Sequence, residues 1–184
     1  MQNDNEKQKF GEPLGDFSLQ KVGGGGIVTL SELMAGKRGA VVVFWSGVCS
    51  HCVRYDKYFN AFEQKYPDLA FIVLASRQGE TMESVQKTIA ERKLRIPMVH
   101  DPGGVTAFKW YTQQTPRAFL MDPERNLLYR GAIDNYKYPD DPEYTSYLEP
   151  AISQFLAGEP VTKTETASFG CAIQSVYYIL PKAL

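Results

Sequence analysis

Two cysteines separated by two residues, in Cys49-Ser50-His51-Cys52, are the part of this sequence best suited to chemistry. On a helical turn this spacing holds the two sulfurs within bonding distance, so the pair can alternate between dithiol and disulfide with little backbone movement. The unpaired N–H groups and positive end of a helix N-terminus favour ionisation of the first sulfur. A thiolate at neutral pH is both nucleophile and good leaving group in disulfide exchange. Cys49 is therefore the expected attacking thiol, and Cys52 the one that resolves the mixed disulfide. Two other readings stand beside this one: half of a zinc site, or two inert buried thiols. Only Cys171, His51 and His100 remain as further soft ligands, so a second ligand pair at comparable spacing is missing.

The elements around the pair must place it. Residues 40–45, with Val41, Val42, Val43 and Phe44, form an unbroken β-branched and aromatic run, the pattern of a strand covered on both faces. Beyond Cys49, Tyr55, Phe59, Phe62 and Tyr66 recur at helical spacing up to Pro67. A second buried strand is expected at 69–75, an amphipathic helix through Met82, Val85 and Ile89, and a third strand at 97–100 closed by Asp101-Pro102-Gly103-Gly104. A short helix at 105–111 leads to Thr115-Pro116. Strands at 117–121 and 127–132 follow, and then a Tyr-, Pro- and Asp-rich loop at 135–142. Tyr147, Leu148, Ala151, Ile152, Phe155 and Leu156 give a last apolar stripe, ended by Gly158.

Near the N-terminus, short strands at 17–19 and 27–30 flank Gly23-Gly24-Gly25-Gly26. No Lys-Ser or Lys-Thr follows this run, so it reads as a hairpin turn and not a phosphate loop. Ser31 is the expected N-cap of a short helix. Strands alternating with helices and finishing in a hairpin and helix specify one α/β domain, over 13–158. Residues 1–12 read as a flexible arm and 159–184 as a C-terminal tail, with periodicity only at 176–180.

The composition narrows the function classes. The chain has 184 residues, with 20 Lys and Arg against 21 Asp and Glu, a net charge of -1 and a pI near 6.1. Such a balance removes the electrostatic basis for binding nucleic acid or anionic lipid. No apolar run is long enough to span a bilayer, and residues 1–10 lack signal-peptide character. Three cysteines are too few for a disulfide scaffold, and an odd count leaves one over. The remainder is Cys171, in Ser168-Phe169-Gly170-Cys171-Ala172, read as an inert buried thiol ahead of a docking or auxiliary redox one. His100 reads as structural. Tyr136, Tyr138, Tyr144 and Tyr147 suit a partner surface and a packed loop equally well.

The sequence resembles the thioredoxin superfamily, and more closely its bacterial thioredoxin-like, redoxin-domain thiol-disulfide oxidoreductases. The resemblance runs from about residue 11 to 158. It is carried by Phe17-Ser18-Leu19 and Val28-Thr29-Leu30, Phe44-Trp45 with Cys49 and Cys52, Thr115-Pro116 before a strand, and Leu128-Tyr129-Arg130-Gly131. It implies a thioredoxin-like fold: a central mixed sheet flanked by helices, with an N-terminal hairpin and an inserted helix-strand unit. It also implies that Pro116 is a cis proline facing the disulfide, that Thr115 offers its backbone to an extended substrate, and that Trp45 flanks the site. Protein substrates and a redox partner protein are implied, with no cofactor or metal, a monomeric chain, and a periplasmic setting; with no signal peptide in the chain, a cytoplasmic one stays open.

Departures from the pattern matter. Thioredoxin's buried acid before Phe-Trp is Val43 here, so Cys52 would depend on water or on an acid such as Glu63. Ser50-His51 replaces thioredoxin's Gly-Pro. A histidine beside the second cysteine resembles the oxidising DsbA and implies a potential less reducing than thioredoxin's. A thiol peroxidase is an alternative, although Ser46-Gly47-Val48 replaces the Pro and Thr of peroxiredoxins. A copper-delivery module is another, requiring a histidine brought to both sulfurs.

Overall fold

The computed structural model describes residues 7–174; residues 1–6 of the expected arm and the periodic stretch 176–180 lie outside the described residues. A seven-stranded mixed sheet carries the chain. Its strands are β1 (Ser18–Lys21), β2 (Ile27–Thr29), β3 (Gly39–Trp45), β4 (Leu69–Arg77), β5 (Met98–Pro102), β7 (Arg117–Met121) and β8 (Leu127–Gly131), in the spatial order β2-β1-β5-β4-β3-β7-β8. Strand β3 runs parallel to β4 and antiparallel to β7, while β4 runs parallel to β5. The N-terminal hairpin pairs onto β5 through β1.

The β-branched run places β3 at the centre, and its alternation feeds two cores. Val41, Val43 and Trp45 face the same cluster as Cys49, Cys52, Phe59, Phe62 and Ile152. Ala40, Val42 and Phe44 face Leu30, Ala107, Trp110 and Phe119 on the other side. Helices α3 (Asp56–Lys65), α4 (Met82–Arg92) and α6 (Leu148–Leu156) supply buried residues to the first cluster. Helices α1 (Leu30–Met34) and α5 (Val105–Lys109) supply the second. Phe62 stacks on Phe71 at 4.2 Å between ring centroids, fixing α3 on β4.

Three local readings are revised. Thr29, not Ser31, caps α1: its Oγ1 accepts from the Glu32 amide at 3.1 Å, and the Glu32 carboxylate accepts from the Thr29 amide at 2.7 Å. Thr-x-x-Glu is the capping-box pattern, while the Ser31 hydroxyl donates to Asp16. The helix expected from Cys49 to Tyr66 is broken into α2 (Ser50–Val53) and α3. At the break the Tyr55 amide bonds back three residues to the Cys52 carbonyl at 3.1 Å, and four-residue bonding resumes from Phe59 to Tyr55 at 2.8 Å. A three-residue step followed by a four-residue step preserves the apolar stripe, so periodicity does not reveal it.

The third revision concerns the segment after α6. It packs back along the domain. The Arg130 amide donates to the Thr164 carbonyl and the Thr166 amide to the Arg130 carbonyl, at 2.9 and 3.2 Å, and Glu165 pairs with Arg130 at 2.9 Å and Lys7 at 2.6 Å. The segment ends as β9 (Cys171–Ala172), antiparallel to β6 (Gln114–Thr115), with Thr115 opposite Cys171.

Candidate active site

Strand β3 ends at Trp45, and the turn 46–49 leads into α2, with Cys49 as its N-cap residue. The Cys49 amide donates to the Ser46 carbonyl at 3.2 Å, closing the turn. Across from it, the Thr115-Pro116 bond joining β6 to β7 is cis. As a thiol, Cys49 donates to the Thr115 carbonyl at 3.2 Å. Both Cys49 and Cys52 are wholly shielded from solvent, and all three cysteines are thiols.

The two sulfurs ionise very differently. The Cys52 thiol donates to Cys49 and is the largest influence holding Cys49 down to about 4; the Thr115 hydroxyl, the Cys171 side chain and the Cys171 amide add to it, against burial. Burial pushes Cys52 well up, and the hydrogen bond and negative charge of Cys49 push it further. Cys49 is thus the thiolate and Cys52 its protonated partner. Helix α2 has only four residues, so local hydrogen bonds rather than a long helix dipole account for the ionisation.

The other expected residues are distributed as follows. Trp45 is fully buried in the cluster containing the two cysteines, with the Arg92 guanidinium 5.1 Å from its ring. Ser50 is exposed at the start of α2. The His51 ring packs on Tyr136 at 4.8 Å, and its Nδ1 is a buried atom without a hydrogen-bond partner. Arg54 ties the 134–144 loop over α2. It donates to the Tyr136 carbonyl at 2.8 Å and lies 4.3 and 5.1 Å from the Tyr136 and Tyr138 rings. Those two tyrosines therefore belong to a packed loop, although Tyr138 remains 69% exposed. Buried His100 hydrogen-bonds the Glu80 carbonyl at 2.9 Å. Among the described residues no cluster of three or more His, Cys, Asp or Glu side chains is arranged to hold a metal ion.

Glu63 is exposed on α3, while an acid that sequence reasoning missed bonds the turn that leads to Cys49. Glu80 accepts the Gly47 amide at 2.6 Å through Oε1, and its Oε2 is buried without a partner. A Cβ on Gly47 would come within 2.9 Å of that carboxylate and would push it aside. Cys171, read first as an inert buried thiol and second as a docking or auxiliary redox one, is only half-buried and lies at the site. Its thiol interacts with Cys49 and faces the Ser50 and His51 amides. No local pattern could have announced this placement, because a two-residue strand leaves no periodicity.

A shielded thiolate beside a protonated thiol, at a strand-to-helix turn on a mixed sheet, defines a thioredoxin-like thiol-disulfide oxidoreductase. The sequence profile of the AhpC/TSA family matches residues 10–130, and the chain belongs to that family. Over 124 residues it is 25% identical to "Thiol-disulfide oxidoreductase ResA" of Bacillus thuringiensis subsp. konkukian (strain 97-27), covering 67% of this chain and 69% of that protein. Among solved structures, a hypothetical protein, SMc02350, from Sinorhizobium meliloti 1021 superposes with a TM-score of 0.80 at 27% identity, over 94% of this chain and 97% of that one. A putative thiol:disulfide interchange protein DsbE from Chlorobium tepidum shares the fold, with a TM-score of 0.62 at 19% identity, over 82% and 96% of the two chains.

Proposed function

We propose that the protein exchanges disulfides with protein substrates through the Cys49 and Cys52 couple. Cys49 attacks a substrate disulfide and forms a mixed disulfide, releasing one substrate thiol. Cys52 then attacks Cys49, leaving the protein with a Cys49–Cys52 disulfide and the substrate fully reduced; run backwards, the same steps oxidise a dithiol. The observation that carries this reading is the opposite ionisation of the two sulfurs at one turn, with Cys49 lowered and Cys52 raised. Neither step draws on a bound cofactor.

Thr115 and Pro116 would receive the substrate: the Thr115 carbonyl lies beside Cys49, and an extended substrate segment would pair with β6 in the place that β9 holds here. A redox partner protein would return the couple to its starting state. By family resemblance the setting is extracytoplasmic. No helix among the described residues is long and apolar enough to cross a membrane.

The test is a trap with Cys52→Ser and Cys171→Ser combined, which leaves Cys49 without another thiol of its own chain. Mixed with disulfide-containing protein substrates, this variant should accumulate mixed disulfides through Cys49 that a reductant releases, while Cys49→Ser should accumulate none. Equal capture by both variants would overturn the reading.

A further inference from the structure

The edge of β6 beside Cys49 is already taken, by the protein's own β9. Thr115 lies in register with Cys171 and Gln114 with Ala172, and the Ile173 amide donates to the Gln113 carbonyl at 2.8 Å. Packing on both cores seats this segment. The Cys171 side chain packs against the cluster that holds Cys49 and Cys52, while Ile173, 4% exposed and just past the end of β9, packs into the cluster on the other side of the sheet. Gly170 permits the approach: a Cβ there would lie 1.8 Å from the Thr115 carbonyl oxygen. The thiol so delivered hydrogen-bonds with Cys49. A cysteine presented on an added strand against the nucleophile is the arrangement that disulfide exchange with a substrate requires.

We propose that the 169–172 segment is a built-in substrate strand, and that Cys171 is a third redox thiol which exchanges into the Cys49–Cys52 disulfide to give Cys49–Cys171. This rests on the couple proposed above. In the step, the Cys171 thiolate attacks the Cys49 Sγ. A Cys49–Cys171 bond forms as the Cys49–Cys52 bond breaks, and the electron pair leaves on the Cys52 Sγ. Cys171 gives up a proton and Cys52 takes one, so the protein remains oxidised by one disulfide and needs no outside oxidant.

The surroundings favour both halves of the step. Cys52, buried and held protonated, readily takes the proton. Cys171 is raised by burial first, then by its hydrogen bond to Cys49 and the Cys49 charge. Those last two influences vanish once Cys49 is in a disulfide, leaving the Ser50 and His51 amides to stabilise the attacking thiolate.

The experiment is disulfide mapping of the full chain after equilibration in glutathione buffers and acid quench. In the natural sequence, Cys49–Cys52 and Cys49–Cys171 should both be found, in a ratio that stays constant once oxidation is complete. In Cys52→Ser, the monomer should lose its two remaining free thiols together by closing Cys49–Cys171. Adding Gly170→Ala to that variant should lower this closure about tenfold or more, because the strand no longer holds Cys171 at high effective concentration. Finding Cys49–Cys52 but never Cys49–Cys171, with Cys49 of Cys52→Ser joined to glutathione and Cys171 free, would overturn this proposal and leave the couple standing. Finding no Cys49–Cys52 disulfide at any buffer ratio would overturn both.

Discussion

Ionisation of Cys49 is set by hydrogen bonds arriving from three separate stretches of chain: Cys52, Thr115 and Cys171. Its value falls from 9.0 to about 4, so below the ordinary thiol range the unfolded chain binds a proton that the folded one does not. This contribution to the stability of the reduced protein is complete above pH 9 and is lost as pH falls toward 4. Denaturant unfolding of reduced and oxidised protein should therefore give a difference that moves against the reduced form across that window; a difference independent of pH would refute the assignment. Thr115→Val removes one hydroxyl donor to a charged sulfur. We expect the Cys49 thiolate to titrate about 1 unit higher, read by thiolate absorbance. At this scale Cys49, Cys52 and Pro116 were legible because residue types at fixed spacing carry their chemistry. Glu80, and the placement of Cys171 beside Cys49, were not, since each reaches the site by tertiary packing from a segment with no motif of its own.

The turn 46–49, the β6 edge and the tail segment meet as elements, and the least regular of them is the tail. Its clamp is ionic as well as backbone: Glu165 is held down to about 2, first by its hydrogen bond to Arg130 and also by Lys7. The stability this adds is present above the ordinary value of 4.5 and is lost as pH falls from there toward 2. Protection of the Ile173 amide against hydrogen exchange should fall over that acid range, and Glu165→Gln should produce part of the loss at neutral pH. Unchanged protection in both would separate the clamp from the seating of β9. The sheet strands and α3, α4 and α6 were legible from apolar periodicity, down to 117–121 for β7. The α2–α3 break and β9 were not, since one preserves the apolar phase and the other is two residues long.

At the scale of the whole molecule, a central β3 buried on both faces holds the cysteine turn at its C-terminal end. For the proposed couple, ionisation of Cys49 stabilises the reduced state relative to the disulfide, so the expected couple is a better oxidant than one with ordinary thiols. The domain outline was legible because alternating strand and helix patterns prescribe layers. The return of residues 159–174 across the site was not, because its contacts are long-range.

The most direct test is a redox titration of the full chain against glutathione, with disulfide mapping at each point. The expected result is a two-electron transition that joins Cys49 to a second cysteine of the same chain, at a potential less reducing than the approximately −270 mV of thioredoxin. A potential at or below that value, or Cys49 remaining a thiol throughout, would contradict it.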